Sequence, residues 1–396
     1  MKYLADAMFN VGFLVSLLVL VAPWVSCRQA ERADLGGSVE DAPSTPANGP
    51  TLRTRLLAFA DSVGVDTSTF QVPAGADSIR ALLREIRYGH PPKYLRYLGL
   101  EEHLDTLTLR TAHQQLLTFA PPLAEAVPQP PSAHYRQLLR HYQRLRQTGQ
   151  PDSLAALRET LNAYRWMSRF TDGQPYAVVS IPATELVVLH DTGEVLRMRV
   201  IVGTKTHQTP SFATYCSQII TYPYWHVPQS IAVREMLPKI KRSTHYLESQ
   251  NLQVLGADGQ PVDPATVAWA ELNAQHFPYR LRQSTGCDNA LGLIKFDLQS
   301  PYAIYLHDTN ARSLFGREAR WLSHGCIRLQ KPIELANLML GENRMNDDFL
   351  TKCQLDAKPT SLALNRPFPV FMMYLLVDLD RQGNLRWSPN IYNWKL

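Results

Sequence analysis

The sequence predicts an α+β protein in which an N-terminal helical scaffold region precedes a mainly β domain with a mixed, sandwich-like sheet and an inserted lid. The spacing of apolar residues changes near Asp172 from a helical period to an alternating one. Hydrophobic residues make up 45% and charged residues 19% of the 396 residues, which is the balance of a globular chain. At about 150 residues per domain, this length indicates two to three domains.

Net charge and cysteine content exclude several classes of protein. Lys and Arg total 40 and Asp and Glu total 35, which gives a net charge of +5. That excess favours an anionic polymer or surface and is too small to indicate nucleic acid, so we expect no nucleic-acid partner. Five cysteines in this length exclude a disulfide scaffold. The sequence contains neither a glycine-rich phosphate-binding motif nor HExxH, so nucleotide-binding and zinc-protease functions have no support.

The N-terminus is typical of an exported protein that is tethered to a membrane. Residues 11–25 form an apolar run that is too short for the roughly 30 Å hydrocarbon core of a bilayer. We interpret residues 1–26 as a signal peptide and Cys27 as the lipidation site of a lipobox-like sequence, with an uncleaved membrane anchor as the alternative. Residues 27–50 are polar and are the predicted flexible tether. Both interpretations place the protein in the periplasm or cell envelope.

Residues 51–168 are the predicted helical scaffold. One helix is indicated by apolar residues at helical spacing, namely Tyr135, Leu138, Leu139, Tyr142 and Leu145. A second helix is expected to begin at Asp152 or Ser153, whose side chains can cap a helix. Another side of the first helix carries Arg136, Arg140 and Arg144. This stripe is either a solvated face or a contact with an anionic surface.

Residues 169–396 are the predicted mainly β domain. Strands are predicted over residues 176–181, 185–190, 195–202, 212–220, 293–296, 303–306 and 370–377. Helices are predicted over 231–240 and over 333–340, the second opened by a proline and closed by a glycine. The stretch 226–282 separates core strands, and we interpret it as the lid.

The residues that can carry chemistry lie in two short segments, His307-Asp308-Thr309 and Ser323-His324-Gly325-Cys326-Ile327-Arg328. A thiol is a weak nucleophile until a neighbouring imidazole accepts its proton, and Cys326 has two candidate partners, His307 and His324. Gly325 lets the backbone approach a substrate, so that N–H groups can face a developing oxyanion. Arg328 suits a substrate that bears carboxylates. The pattern predicts acyl transfer.

Two other interpretations use the same residues. Cys326 could be a buried structural cysteine near incidental histidines. Alternatively, His307, His324 and Cys326 could bind zinc, although the sequence offers no obvious fourth ligand.

Taken together, these segments are similar to the signature of the L,D-transpeptidases, bacterial enzymes that cross-link peptidoglycan. Further short motifs extend the similarity across about residues 160–380, at 181–183, 197–203, 208–210, 224–228, 289–292 and 313–315. The sequence therefore resembles the YkuD-type catalytic domain of this family, and within it the larger periplasmic subgroup with a capping subdomain.

The resemblance implies a role for each site residue. Cys326 is implied to be the nucleophile, His307 the general base and His324 a brace for the loop. Backbone N–H groups near Gly325 and Cys326, with Tyr305, are implied to form the oxyanion hole. Arg328 would orient the loop or a substrate carboxylate, and Ser323 is counted among the substrate-binding residues. Trp225 and Tyr222 either line the cleft or pack in the core.

The implied reaction requires no metal or organic cofactor and uses peptidoglycan tetrapeptide stems as donor and acceptor. Cysteine attacks the peptide bond after the L-centre of diaminopimelate, releases D-Ala and passes the acyl group to an amine, which gives a 3→3 cross-link. An L,D-carboxypeptidase, or a transferase that joins a protein to the wall, would use the same residues. The alternative of another class is a non-catalytic lipoprotein that binds the wall. We also expect Cys326 to capture carbapenems, because a strained acyl ring mimics the donor carbonyl.

Two features depart from this subgroup. The chain passes from Gln147 to the strand at Tyr176 too quickly to contain a separate peptidoglycan-binding domain. Cys287 lies where the family is usually proline-rich. If Cys27 is lipidated and Cys326 is free, the remaining cysteines are Cys216, Cys287 and Cys353. These allow at most one bridge, and none of them is expected to be catalytic.

Overall fold

The computed structural model describes residues 51–70, 76–118, 121–351, 354 and 357–395, and these belong to one compact unit. The predicted signal peptide, the lipidation site Cys27 and the tether lie outside the described residues. Within the described part, no helix combines the length and apolar character needed to cross a membrane.

Helices dominate the first third of the described chain. They are α1 (Leu52–Ser62), α2 (Ala76–Tyr88), α3 (Thr106–Thr118), α4 (Leu123–Ala126), α5 (Ala133–Thr148) and α6 (Pro151–Met167). The later helices are α7 (Gln229–Ile231), α8 (Leu237–Arg242), α9 (His245–Ser249), α10 (Pro332–Leu340) and α11 (Asp347–Thr351). A π-helical segment, Ala232–Met236, joins α7 to α8.

Strands dominate the remainder. The first eight are β1 (Leu95–Leu98), β2 (Tyr176–Ser180), β3 (Glu185–His190), β4 (Gly193–Gly203), β5 (Ser211–Thr221), β6 (Trp225–His226), β7 (Leu252–Leu255) and β8 (Pro261–Val262). The others are β9 (Arg280–Gln283), β10 (Ile294–Leu298), β11 (Leu306–His307), β12 (Trp321–Ser323), β13 (Ile327–Leu329), β14 (Thr360–Met373), β15 (Val377–Leu379) and β16 (Leu385–Trp387).

One mixed sheet organises the molecule. Its strand order is β1-β5-β10-β11-β13-β4-β3-β2-β14, with β12 paired to β4. Because β14 also pairs antiparallel with β5, the sheet closes on itself. Successive side chains on a strand point to opposite faces, so each strand has an inner and an outer set of residues. The predicted α+β class with a mixed sheet is confirmed.

The inner face of the closed sheet is an apolar core. Its fully buried members include Val179, Leu186, Val200, Phe212, Leu306, Ile327 and Leu335. The last of these lies on α10, whose first residue is Pro332 and whose cap, Gly341, adopts the left-handed conformation at φ 73°. Proline at the first position and glycine at the cap define this helix as the sequence predicted.

The outer face of β2, β3 and β14 is covered by α5 and α6. Trp166 of α6, for example, packs edge-on against Phe371 of β14, with ring centroids 6.2 Å apart. Tyr142 of α5 lies in the same buried cluster as Val178 of β2 and Leu189 of β3. The helical region and the sheet therefore share a hydrophobic core.

Two local predictions for the helical region are wrong. Leu95–Leu98 forms β1, which pairs in parallel with β5 at the edge of the sheet, within a stretch predicted to be helical. Such a short segment becomes a strand because the open edge of β5 supplies its hydrogen-bond partners. Helix α6 begins at Pro151, with Gln150 as its cap, and Asp152 already lies in its first turn. Proline suits this first position because its missing N–H would have no helical partner there.

Residues 225–283, inserted between β5 and β10, form an inserted subdomain. Its sheet has the order β6-β9-β7-β8, separate from the main sheet. Its own apolar cluster includes Leu237, Ile240, Leu247, Val254, Trp269 and Leu281. The predicted lid, 226–282, corresponds to this insertion, and its function as a lid remains a prediction.

A buried hydrogen-bond network joins the helices to the C-terminal hairpin. Asp378 of β15 is hydrogen-bonded to His134 of α5 at 2.7 Å and accepts a bond from the Tyr164 hydroxyl of α6 at 2.9 Å. Burial opposes the negative charge of Asp378, but its interactions with His134 outweigh burial and lower the pKa of this carboxyl. The helices and the hairpin are therefore linked by a paired, desolvated charge.

We expect Asp378→Asn to lower the free energy of unfolding at pH 7 by about 3 kcal/mol, because breaking a buried pair leaves polar groups without partners. Urea unfolding followed by circular dichroism would measure the change, with the exposed Asp288→Asn as the matched control. Since the pKa of Asp378 is lowered, its contribution is present at neutral pH and is lost as pH falls. The difference between variant and wild type should therefore shrink in acid, and a difference that grows in acid would contradict this assignment.

Candidate active site

Strand pairing determines which residues of the two motifs share a face. Leu306 and Ile327 are parallel partners in β11 and β13, and both are fully buried in the inner core. Their neighbours in sequence therefore lie on the outer face, because side chains alternate along a strand. Arg328 is in register with His307. Cys326 and Tyr305 directly precede the paired residues Ile327 and Leu306.

Positive side chains flank His307 on both sides. Lys295 of β10 and Arg328 of β13 are the residues in register with it on the neighbouring strands. The imidazole is 4% exposed. Burial, followed by the positive charge of Arg328, lowers the pKa of His307 to about 3. Its Nδ1 is 2.5 Å from the carbonyl oxygen of Asp308. A carbonyl can only accept, so Nδ1 carries the proton and Nε2 is the nitrogen that can act as a base.

Cys326 is half-buried beside Tyr305. Burial raises the pKa of the thiol, although interactions with Tyr305 and the positive charges of Arg328 and Lys295 oppose this. The sulfur lies 3.6 Å from the carbonyl oxygen of Ala303. Among the described residues, no hydrogen bond joins this sulfur to the ring of His307. The resting site therefore combines a neutral thiol with a neutral imidazole.

We expect the rate of Cys326 alkylation by iodoacetamide to keep rising with pH up to about pH 9, because the thiol pKa is raised and thiolate forms only in base. Mass spectrometry of the modified peptide would measure the rate, with Cys326→Ser as the control. A rate that levels off between about pH 6 and pH 8 would indicate a resting thiolate–imidazolium pair and contradict this description.

Tyr305 connects the thiol to the inserted subdomain. Its ring lies 5.7 Å from that of His307, and Lys295 Nζ lies 4.7 Å from its centroid. Its hydroxyl interacts with Cys326 and with Trp225 of β6, and burial raises its pKa. Trp225 is half-buried at this position.

Arg328 is a guanidinium without an acidic partner in the described part of the chain. Its Nε is buried and has no hydrogen-bond acceptor among those residues. Burial lowers the pKa of the guanidinium, against the effect of Cys326. Lys295, by contrast, is paired with Asp297 at 2.8 Å. The charge of Arg328 is therefore not neutralised by an acidic side chain among the described residues.

The side-chain hydroxyl of Ser323 and the conformation of Gly325 define the loop before Cys326. Gly325 has φ +117°, a conformation that side-chain-bearing residues rarely adopt. The Ser323 Oγ accepts from the Gly325 N–H at 3.1 Å and donates to the Cys326 carbonyl at 2.6 Å. Ser323 is 2% exposed, so this side chain, predicted to bind substrate, instead bonds to its own loop.

His324 contacts the inserted subdomain. It is exposed, its Nε2 lies 2.8 Å from Glu235 Oε1 in the inserted subdomain, and its ring packs 4.6 Å from that of His207. The two histidines of the zinc hypothesis thus have different surroundings, one buried and one on the surface. Among the described residues no cluster of three metal-ligating side chains occurs.

Tyr222 belongs to the inner core. It is 7% exposed, and its ring lies 5.4 Å from Phe349. The core interpretation left open by the sequence therefore fits Tyr222, and the lining of a cleft by Trp225 stays a prediction.

Cysteine chemistry in the described residues is concentrated at Cys326. Cys287 is disulfide-bonded, and Cys216 is a free thiol buried in the inner core. Burial raises the pKa of Cys216 to about 12. The remaining cysteines, Cys27 and Cys353, lie outside the described residues. Cys326 is thus the free thiol of the described chain that solvent or substrate can reach.

Sequence reasoning missed the roles of Lys295 and Asp308. The Asp308 Oδ2 accepts from the Leu293 N–H at 2.9 Å, and its other oxygen bonds to Arg312. A Cβ on Gly292 would lie 2.3 Å from Asp308 Oδ2, so only glycine fits there. The alternation of residues 294–298 could have indicated that Lys295 faces outward, but not which strand lies beside it.

Part of the chain is similar to known proteins. Residues 174–351 match the model of the YkuD family, the L,D-transpeptidase catalytic domain. A Haemophilus influenzae protein named "Putative L,D-transpeptidase" is 37% identical over 216 residues, covering 54% of this chain. The chain spans 44% of that relative's own length.

Solved structures of low identity are also similar. The catalytic domain of an Enterococcus faecium L,D-transpeptidase acylated by ertapenem matches 50% of this chain and 96% of its own, at 11% identity and TM-score 0.23. Mycobacterium tuberculosis L,D-transpeptidase 1 matches 50% of this chain and 60% of its own, at 12% identity and TM-score 0.22.

Proposed function

We propose, from the match of residues 174–351 to the L,D-transpeptidase catalytic domain, that the protein is a cysteine acyltransferase that forms 3→3 cross-links between peptidoglycan stems. One observation carries the proposal: the outer face of β11 and β13 holds a reachable free thiol, Cys326, next to the row that contains His307 and Arg328. Proteins with this domain act on the peptide stems of peptidoglycan.

In the first half-reaction, a tetrapeptide stem is the acyl donor. The Cys326 thiol passes its proton to His307 Nε2, and the sulfur attacks the carbonyl carbon of diaminopimelate. The bond from that carbon to the D-Ala nitrogen then breaks. The nitrogen takes the proton from His307, so D-Ala leaves as a neutral amine and the donor remains as a thioester.

In the second half-reaction, the side-chain amine of another stem attacks the thioester carbonyl. His307 accepts a proton from this amine and returns it to the departing sulfur, which restores the thiol. The products are a 3→3 cross-linked dimer and free enzyme. Neither half-reaction calls for a metal or an organic cofactor.

Substrate charge helps proton transfer in this proposal. The pKa of His307 is low at rest because of burial and the charge of Arg328. A stem carboxylate bound at Arg328 would offset that charge and favour the imidazolium that forms during attack. Base strength would then increase when the donor is bound, and the empty site would stay in its neutral form.

Exclusion of water determines which product forms. A thioester hydrolyses in an open site, so transfer to an amine requires a cover, which we assign to the inserted subdomain 225–283. Contacts at Trp225–Tyr305 and Glu235–His324 join that subdomain to the motif loops. An L,D-carboxypeptidase, or a transferase that joins a protein to the wall, would use the same residues with another acceptor.

Location in the cell envelope follows from the substrate. The lipidated Cys27 and the tether 27–50 would hold the catalytic body at a membrane while it reaches the wall. Capture of a carbapenem at Cys326 belongs to the same proposal, and the E. faecium domain described above is acylated by ertapenem.

Incubation of the full chain with disaccharide-tetrapeptide, followed by mass spectrometry, tests the proposed function. A cross-linked dimer with loss of D-Ala is the expected result. A tripeptide monomer alone would indicate a carboxypeptidase. Unchanged substrate, bound but not converted, would indicate a wall-binding protein and overturn the proposal.

A further inference from the structure

A buried hydroxyl lies directly behind the loop that carries Cys326. The Thr209 Oγ donates to the carbonyl oxygen of Gly325 at 2.8 Å and accepts from the Gly203 N–H at 3.0 Å. Thr209 is 0% exposed. The hydroxyl therefore donates one hydrogen bond and accepts another, both with backbone groups. These two bonds determine its orientation.

Tyr392 holds Thr209 in place. The Tyr392 hydroxyl accepts from the Thr209 N–H at 3.1 Å and donates to the Gly203 carbonyl at 2.7 Å. This tyrosine is 6% exposed and lies beyond the matched residues 174–351. A Cβ on Gly203 would lie 2.7 Å from the Thr209 nitrogen, so the backbone of this turn packs closely against the end of β4.

The direction of the Gly325 carbonyl determines the direction of the Cys326 N–H. In a trans peptide the C=O and the following N–H point in opposite directions. Because the Gly325 carbonyl bonds to the buried Thr209 hydroxyl, the Cys326 N–H points away from Thr209. Among the described residues this N–H has no acceptor. The Gly325 N–H, by contrast, is already bonded to Ser323 Oγ.

We propose that Thr209, held by Tyr392, is a positioning residue that orients the Cys326 N–H as the oxyanion donor, and this inference rests on the acyl-transfer function proposed above. The Thr209 hydroxyl never touches the substrate. It acts through the Gly325–Cys326 peptide, so that the donor is oriented before the tetrahedral oxyanion forms. Such preorganisation stabilises the transition state without strengthening ground-state binding.

The test compares Thr209→Val with Thr209→Ser in the full chain. Valine keeps the shape and removes the hydroxyl, whereas serine keeps the hydroxyl. We expect Thr209→Val to lower the rate of Cys326 acylation by ertapenem about 10- to 100-fold. With tetrapeptide donor, kcat should fall by a similar factor and KM should stay within about twofold. Thr209→Ser should stay within about threefold of the wild-type rates.

Alkylation by iodoacetamide distinguishes this inference from simple damage to the loop. That reaction displaces iodide from a saturated carbon and forms no oxyanion, so Thr209→Val should keep the wild-type alkylation rate within about twofold. Equal losses in acylation and alkylation, or equal defects in the valine and serine variants, would overturn the inference. If Thr209→Val does not fold, Tyr392→Phe replaces it, and an unchanged acylation rate in that variant would also overturn the inference.

The wild-type measurements separate this inference from the proposed function. Acylation by ertapenem without cross-linked dimer would refute the transpeptidase proposal while the Thr209 comparison still decides the inference. A wild-type chain that neither reacts with ertapenem nor releases D-Ala from the tetrapeptide would refute both.

Discussion

Replacing Cys326 by serine is expected to abolish cross-link formation and carbapenem acylation, leaving less than about 0.1% of the wild-type rate. An alcohol is far less acidic than a thiol, and His307, with a pKa of about 3, is too weak a base to activate it at rest. Intact-mass analysis after incubation with ertapenem would show one adduct on wild type and none on the variant. Product analysis with the tetrapeptide would show the same contrast.

The other cysteines provide the matched controls. Cys287→Ser removes a disulfide-bonded residue, and Cys216→Ser removes a buried free thiol. Both variants should retain the adduct on Cys326, with any loss of turnover tracking a loss of stability. If Cys287→Ser eliminated acylation as completely as Cys326→Ser in a folded chain, the assignment of the nucleophile would be wrong.

Replacing His307 by asparagine is expected to lower kcat for the tetrapeptide by about 10²- to 10⁴-fold, which is the usual contribution of a general base. The asparagine amide can still donate to the Asp308 carbonyl, as Nδ1 does, but nothing replaces the basic Nε2. KM should change little, because the stem carboxylate is assigned to Arg328. Steady-state kinetics with the disaccharide-tetrapeptide would measure both constants.

His324→Asn serves as the comparison for the second histidine of the motif. His324 is exposed and contacts Glu235, so its replacement should weaken the connection to the inserted subdomain and cost less than about tenfold in kcat. If kcat fell more in His324→Asn than in His307→Asn, His324 would be the better candidate for the general base. That result would refute the assignment of His307.

Local sequence predicted the elements whose apolar pattern is unambiguous. Strand β3 has the predicted bounds, Glu185–His190, and α10 begins and ends at its predicted proline and glycine. The similarity of 307–309 and 323–328 to a known signature pointed to the same family whose model residues 174–351 match. Elements that depend on a distant partner were predicted less well. Strand β1 forms because it pairs with the edge of β5. The sequence around β1 has a helical pattern and does not indicate this pairing.

The sequence indicated which side chains can react, whereas the structure was needed to show where they lie. The residue types at Cys326 and His307 pointed to a thiol and a base without any structure. Ser323, in contrast, was predicted to bind substrate and instead bonds to its own loop. Lys295 and Thr209 were not predicted to be site residues. Lys295 lies beside His307 only because β10 pairs with β11, and Thr209 contacts Gly325 only in the folded chain.

By itself, the sequence determined the fold class and the alternation of inner and outer residues along each strand, and it identified the candidate groups for proton and acyl transfer. Those properties depend on residues close together in the chain, and covalent bonds fix the spacing between such residues. Only the tertiary structure decided that Lys295 and Arg328 lie on either side of His307, and that Thr209 and Tyr392 stand behind Gly325. Strand order, burial and electrostatic environment arise from contacts between segments far apart in the chain, and these determine the pKa values and the direction of the peptide groups at the site.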